Sequence, residues 1–262
     1  MAVNLFREER LRIIMEIIYE KKKVFVKDLA DKFRKSSSSI RLDLAELESR
    51  RLIKRTHGGA ILIEAIGNDY VISKNLIRLR DETNKTEKEH IGKAVLDLIS
   101  DGDSIMIDGG STTYFVGKYL KEKRGLTIVT TSYHIMPLLL EIQDAKIFLT
   151  GGLIHREYAD LIGDIPIDSI QRFSPDCVIM GIDGVSLNHG LTIADPSVAQ
   201  IKRQMIEVGR KAIVVADSSK FGKVCLLHVA DISGVDAIVS DTGVPEEFIQ
   251  AVEEAGVELV LA

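Results

Sequence analysis

Between Glu8 and Tyr19 apolar residues return at helical spacing, at Leu11, Ile14, Met15 and Ile18, which predicts a helix with one face turned to a core. After Lys21-Lys22-Lys23 the β-branched piece Val24-Phe25-Val26 breaks that period, and Lys27 to Phe33 resumes it with Leu29, Ala30 and Phe33 on one face. Arg34 to Ser37 reads as a turn. Ser36 to Arg50 reads as a third helix, capped by one of its serines and lined by Ile40, Leu44 and Leu47. Two short helices joined by a tight turn make a helix-turn-helix. Leu52 to Arg55 and Ala60 to Ile63 then flank Thr56-His57-Gly58-Gly59, a hairpin placed where a wing would stand.

Beyond a charged, weakly periodic connector the pattern changes. Ser104 to Asp108, Leu126 to Thr130, Lys146 to Thr150, Asp176 to Gly181, Lys211 to Ala216, Asp236 to Ser240 and Val257 to Leu261 are short runs, apolar almost throughout. Such runs suit strands of a parallel sheet covered on both faces. The helix-length segments Thr112 to Lys121, His134 to Ile142, Pro196 to Val208 and Pro245 to Ala255 supply crossovers between them. The expected fold class is an α/β domain with a mostly parallel sheet over 86–262, preceded by a small α+β winged helix-turn-helix over 1–62, with a linker over 63–85.

Composition adds constraints. At 262 residues, 45% apolar and 28% charged, the chain has material for a sizeable core and none of the bias of a disordered protein. No run approaches the roughly 18 apolar residues of a membrane span, and the charged start does not resemble a secretory signal, so a cytoplasmic protein without membrane contact is expected. Cys177 and Cys225 lie in apolar surroundings and are expected to be buried, reduced thiols. The overall charge of −5 is unevenly spread: residues 1–60 carry 15 Lys and Arg against 9 Asp and Glu, net +6, and the remaining 202 are net −11. A basic module on an acidic body fits an acidic polymer as partner.

Two groups of residues carry the candidate chemistry. On the third helix, Ser36, Ser37, Ser38, Ser39 and Arg41 are short hydroxyl and basic side chains able to reach phosphates and base edges in the major groove of double-stranded DNA, with Arg55, His57 and Gly58 in the wing as further contacts. Between the first long apolar run and the next helix stands Asp108-Gly109-Gly110-Ser111-Thr112-Thr113. There glycines admit an anion close to the backbone, hydroxyls can donate to it, and the helix start favours negative charge. Thr131 and Ser132, Gly151 and Gly152, and Asp183 in Gly181-Ile182-Asp183-Gly184 close other strands that end at the same edge, where α/β ligands bind. The six histidines are widely scattered, without metal-ligand spacing, so no metal and no cofactor is expected.

The run Ser36-Ser-Ser-Ser-Ile-Arg-Leu-Asp-Leu-Ala-Glu-Leu-Glu48, followed by Leu52-Ile-Lys-Arg-Thr-His-Gly-Gly-Ala60, resembles the signature of the DeoR family of bacterial transcriptional regulators. The resemblance continues through Asp108-Gly-Gly-Ser-Thr-Thr113, Thr150-Gly-Gly152 and Ala216-Asp-Ser-Ser-Lys-Phe-Gly222. The chain departs from the usual pattern at Ser39 for Thr, Leu42 for a second Arg, Arg51 for Gly, Thr131 for Asn and Val198 for Glu. The resemblance implies a repressor, a homodimer or homotetramer, that binds an operator under control of a sugar-phosphate effector. It also implies that the effector domain shares the fold of ribose-5-phosphate isomerase, glucosamine-6-phosphate deaminase and CoA transferases. On that reading Lys202 and Lys220 supply cations that meet the phosphate or pair with Asp183, although Gln200 to Met205 is equally a plain amphipathic helix with Lys202 as a surface charge. The alternative is an isomerase or deaminase carrying a nucleic-acid-binding module. Against enzymatic activity, these strand ends hold no Glu nucleophile and no evident acid and base pair beyond the binding aspartates.

Overall fold

Residues 7–21, 23–50, 52–62 and 80–262 are described by the structure, a computed structural model, and the chain separates into a unit ending at Thr83 and one beginning at Asn84. The smaller unit runs α1 (Arg7–Lys21), β1 (Lys23–Phe25), α2 (Val26–Phe33), α3 (Ser37–Ser49), β2 (Ile53–Thr56) and β3 (Gly59–Leu62). Leu11, Ile14, Met15 and Ile18 of α1 meet Leu29, Ile40, Leu44 and Leu47 in one core. Ser36 caps α3, its hydroxyl accepting the Ser39 amide at 3.2 Å. The wing is a three-stranded antiparallel sheet in the order β1-β3-β2. Gly59 is where it must be tight: a Cβ there would lie 2.0 Å from the Val24 carbonyl oxygen. The connector expected over 63–85 lies, as far as residue 79, outside the described residues; 80–82 are helical and Lys85 already begins the next helix.

In the larger unit α4 (Lys85–Ala94), β4 (Ser104–Ile107), α5 (Ser111–Tyr119), β5 (Thr127–Thr130), α6 (Met136–Leu139) and β6 (Lys146–Leu149) come first. A hairpin of β7 (Leu153–His155) and β8 (Asp160–Ile162) and helix α7 (Asp164–Ile170) follow. Then come β9 (Cys177–Gly181), β10 (Gly184–Ser186), β11 (Gly190–Ile193), α8 (Pro196–Val208), β12 (Ala212–Val215), β13 (Leu227–Ala230), β14 (Ala237–Ser240), α9 (Glu246–Glu254) and β15 (Glu258–Leu261). The seven apolar runs are the seven strands of one wholly parallel sheet, ordered β15-β14-β12-β9-β4-β5-β6. Alternation sorts their side chains between two cores: Ile105, Ile107, Ile179 and Val215 pack with Ile91 of α4 and Val116 of α5. Met106, Val178, Met180 and Val214 pack with Val198, Ile201 and Met205 of α8.

The small antiparallel sheet β10-β11-β13 and the β7-β8 hairpin were not legible as runs. Cys177 is buried as expected. Cys225 is only partly so, because it lies in the loop before β13 rather than in a strand. Among the described residues no helix is long and apolar enough to cross a membrane.

Candidate functional site

On α3 the buried positions Ile40, Asp43, Leu44 and Leu47 share one side, and Ser37, Ser38 and Arg41 are exposed on the other. Ser36 and Ser39 are 3.0 Å apart, hydroxyl to hydroxyl, so both are engaged in capping the helix. Asp43 anchors α3 to α1: Arg10 Nε and Nη2 donate to its two carboxylate oxygens at 2.6 and 3.0 Å, and Arg7 Nε adds a contact at 3.4 Å. Arg55 pairs with Glu48 at 3.4 Å, and its amide donates to the same carboxylate, which ties the wing to the end of α3. His57 and Gly58 form the exposed tip between β2 and β3.

In the larger unit the chain steps outward from β4 through β5 to β6, then returns to β9 on the other side of β4 and continues to β15. The switch point therefore lies between the carboxyl ends of β4 and β9, where such sheets bind ligands. Asp108 leaves β4 at this point and accepts the Gly181 amide from the end of β9 at 3.1 Å. Lys202 of α8 donates to Asp108 Oδ2, with its side chain 2% exposed. Lys202 is thus neither a surface charge nor a partner of Asp183: its stem is packed in the core and its ammonium has been drawn to Asp108. Asp183 instead accepts the Tyr158 hydroxyl at 2.8 Å.

A second buried carboxylate, Asp160 at the start of β8, completes the cluster. Its Oδ1 accepts the Thr131 hydroxyl at 2.5 Å and the Gly109 amide at 3.1 Å, while Oδ2 has no hydrogen-bond partner among the described residues. Burial, and then the Asp108 charge, push Asp160 up to about 7 against the pull of Lys202. Burial likewise raises Asp108, opposed by Lys202 and the Gly181 amide. Near neutral pH Asp160 can thus carry a proton, so that its carboxyl can donate as well as accept hydrogen bonds beside the Asp108-Lys202 pair.

Above this cluster the loop Gly109-Gly110 leads into α5. Gly110 is the N-cap, and no side chain caps the helix. The first-turn amides of α5, with Ser111 half-exposed beside them, form a place for an anion. The need for glycine falls on Gly109, where a Cβ would come 2.8 Å from the Asp160 carboxyl and 2.9 Å from the Tyr158 carbonyl oxygen. Gly110 has φ −178°, extended backbone that any residue adopts. The buried Thr113 hydroxyl turns back to the Gly110 carbonyl at 3.1 Å, and Thr112 is buried beside it.

Several other candidate residues are engaged within the protein. Thr131 spends its hydroxyl on Asp160, and Ser132 donates to the Ala159 carbonyl at 3.1 Å, so both brace the β7-β8 hairpin from beneath. Gly151 and Gly152 turn the chain after β6 with φ of 77° and 122°. Lys220 lies in a short turn after β12 beside buried Asp217; burial would raise that carboxyl, but Lys220 and Lys88 hold it below its ordinary value. Sequence reasoning missed Asp160 and Tyr158. The faint signal was an aspartate in Tyr158-Ala159-Asp160-Leu161-Ile162, flanked by apolar residues.

A DeoR C terminal sensor domain matches residues 83–242, and a DeoR-like helix-turn-helix domain matches 10–65. The chain belongs to the DeoR family of transcriptional regulators. It is 32% identical to the glycerol-3-phosphate regulon repressor of Escherichia coli K12, over 95% of this chain and 96% of that one. It is 29% identical to a putative aga operon transcriptional repressor of Escherichia coli O157:H7 (97% and 93% covered), and 29% to the transcriptional repressor GlcR of Bacillus subtilis (98% and 97%). Among solved structures it is similar to a D-ribose-5-phosphate isomerase in complex with phospho-erythronic acid, with 23% identity, 52% and 54% of the chains covered and TM-score 0.40. As a DeoR-family member the protein is a DNA-binding regulator of transcription, with its helix-turn-helix in the smaller unit and its sensor in the larger.

Proposed function

We propose that this DeoR-family regulator is a cytoplasmic repressor of carbohydrate-utilisation genes, and that a phosphorylated sugar or polyol controls its grip on the operator. The observation that carries this reading is the uncapped start of α5 set directly above the buried Asp108-Lys202-Asp160 cluster. The phosphate takes the amides of Gly110, Ser111 and Thr112. The sugar hydroxyls face the strand ends, with Asp183 and Lys220 at the rim and the buried aspartates beneath. Thr113, Thr131, Ser132, Gly151 and Gly152 hold the site's shape. On DNA, Ser37, Ser38 and Arg41 of α3 enter the major groove while Arg55, His57 and Gly58 of the wing lie along the backbone, and a homodimer or homotetramer pairs two half-sites. The names of the relatives, among them a glycerol-3-phosphate regulon repressor, support the same ligand class.

The test is a thermal-shift panel of phosphorylated pentoses, hexoses and polyols on the full chain, followed by operator titration with each hit. A ligand held only by the native state at a hundred times its Kd adds about 2.7 kcal/mol of stability. The expected result is one narrow group of phosphates that raises the melting temperature and changes operator affinity, recovered unchanged in the reaction mixture. A panel in which no phosphate does either sinks the effector reading, and steady conversion of a sugar phosphate to its isomer restores the enzyme alternative.

A further inference from the structure

Leu42 stands 66% exposed on α3, in the half of the helix that begins at the Ser36 cap. With 3.6 residues per turn, it lies opposite the buried row of Ile40, Leu44 and Leu47, on the same stripe as Ser38 and Ala45 and one residue from exposed Arg41. An exposed leucine alone calls for no explanation; the charge pattern around this one does. All three carboxylates of α3 are taken up by arginines: Asp43 by Arg10 and Arg7, Glu46 by Arg50 at 2.9 Å, and Glu48 by Arg55 at 3.4 Å. No acidic residue occupies the first turn. The outward stripe is therefore an apolar centre, Leu42 with Ala45, edged by hydroxyls and a cation, without an unpaired negative charge to repel phosphates.

We infer that Leu42 is a specificity-determining residue that reads the C5-methyl group of a thymine on the floor of the major groove. The reading rests on α3 being the DNA-reading helix. A thymine is the one base that presents an apolar group in that groove, and a side chain without donors or acceptors gains there only by covering it. A guanine or cytosine edge against Leu42 would leave its polar atoms desolvated and unpaired. The apolar stripe thus works by attraction to one base and by exclusion of others.

The experiment uses the full chain to select sites from random duplexes, with Leu42→Ala and Arg41→Ala variants run in parallel. Each thymine of the selected site is then replaced by deoxyuridine, which removes only the methyl. The expected result is one thymine per half-site at which deoxyuridine weakens wild-type binding about four-fold, the worth of one buried methyl. In Leu42→Ala the same replacement should change nothing, and selection should lose that thymine. A deoxyuridine penalty that persists in Leu42→Ala, or a selected site indifferent to every thymine methyl, overturns the inference. So does a Leu42→Ala protein that changes its oligomeric mass while selecting the same site, since the stripe would then meet another protein copy. If Arg41→Ala alters the selected sequence and Leu42→Ala does not, α3 reads DNA and only the methyl contact fails. If neither alters it, the DNA-reading role of α3 fails first and takes the inference with it.

Discussion

Asp160 makes a prediction whose sign is opposite to that of most carboxylates. Its ordinary value is 3.8 and in the folded chain it is pushed up to about 7, so the native state holds a proton that the unfolded chain has released. The stabilisation this gives is fully present below about pH 4, fades as the pH rises and is gone above about 7. Asp217, held below its ordinary value, acts in the other direction, losing its contribution as pH falls, so the two are separated by mutation. In Asp160→Asn the oxygen that accepts from Thr131 and Gly109 remains and the charge facing Asp108 and Lys202 is gone. Thermal melts from pH 5 to 8 should show wild type losing stability relative to Asp160→Asn as pH rises; parallel curves would mean that Asp160 does not carry the proton. The neighbouring glycines divide in the same way. Gly109→Ala puts a methyl against buried Asp160 and the Tyr158 carbonyl and should cost roughly 1–3 kcal/mol of stability in urea melts. Gly110→Ala, on extended backbone with the methyl 3.1 Å from the Thr113 hydroxyl, should fold nearly as wild type and show its loss in effector affinity. Equal stability of the two variants would contradict the packing beneath the loop.

At the scale of elements, one ion pair sets α3 against α1. Arg10 and Asp43 are both buried, and removing one partner strands a charge in the core. Asp43→Ala should therefore cost about 3–5 kcal/mol, whereas the apolar pair Arg10→Met with Asp43→Leu should restore most of the stability. Chemical denaturation followed by a probe in the smaller unit checks both, and a double variant no better than the single one would show that the anchoring bond cannot be replaced by packing. The same contrast explains what was legible in the sequence. Strands β4, β5, β9, β12 and β14 announced themselves because a strand covered on both faces is apolar throughout. Helix α8 did so because Pro196 opens it, ahead of an amphipathic period through Gln200 to Met205. The three-residue strands β7 and β8 gave no such pattern, and Leu153 and Ile154 are exposed rather than buried. Nor could the cluster be read along the chain. Lys202 meets Asp108 across 94 positions and Asp160 meets Gly109 across 51, so the sequence offered Lys202 as a cation for a phosphate or for Asp183, or as a surface charge, and its pairing with Asp108 emerged only from the sheet order.

For the whole molecule the decisive quantity is the coupling between its two ligands. The basic first 60 residues and the acidic remainder, +6 and −11, suit different partners: operator binding should weaken steeply with salt as counterions return to the phosphates. A sugar phosphate seated within the protein should respond less, since its contacts lie among buried groups that salt screens poorly. If the effector controls operator binding by an equilibrium mechanism, the two bindings close a thermodynamic cycle. The factor by which effector changes operator affinity must then equal the factor by which operator changes effector affinity, commonly about 5- to 150-fold. Both arms can be measured on the full chain at one salt concentration, operator by fluorescence anisotropy with and without saturating sugar phosphate, and sugar phosphate by calorimetry with and without saturating operator. Equal factors in both arms, falling together towards one in Gly110→Ala if that variant has lost effector binding, are the expected outcome. A sugar phosphate that binds tightly yet leaves operator affinity unchanged has the same affinity for both states and shifts neither, which would make the larger unit a binding domain without control over the smaller.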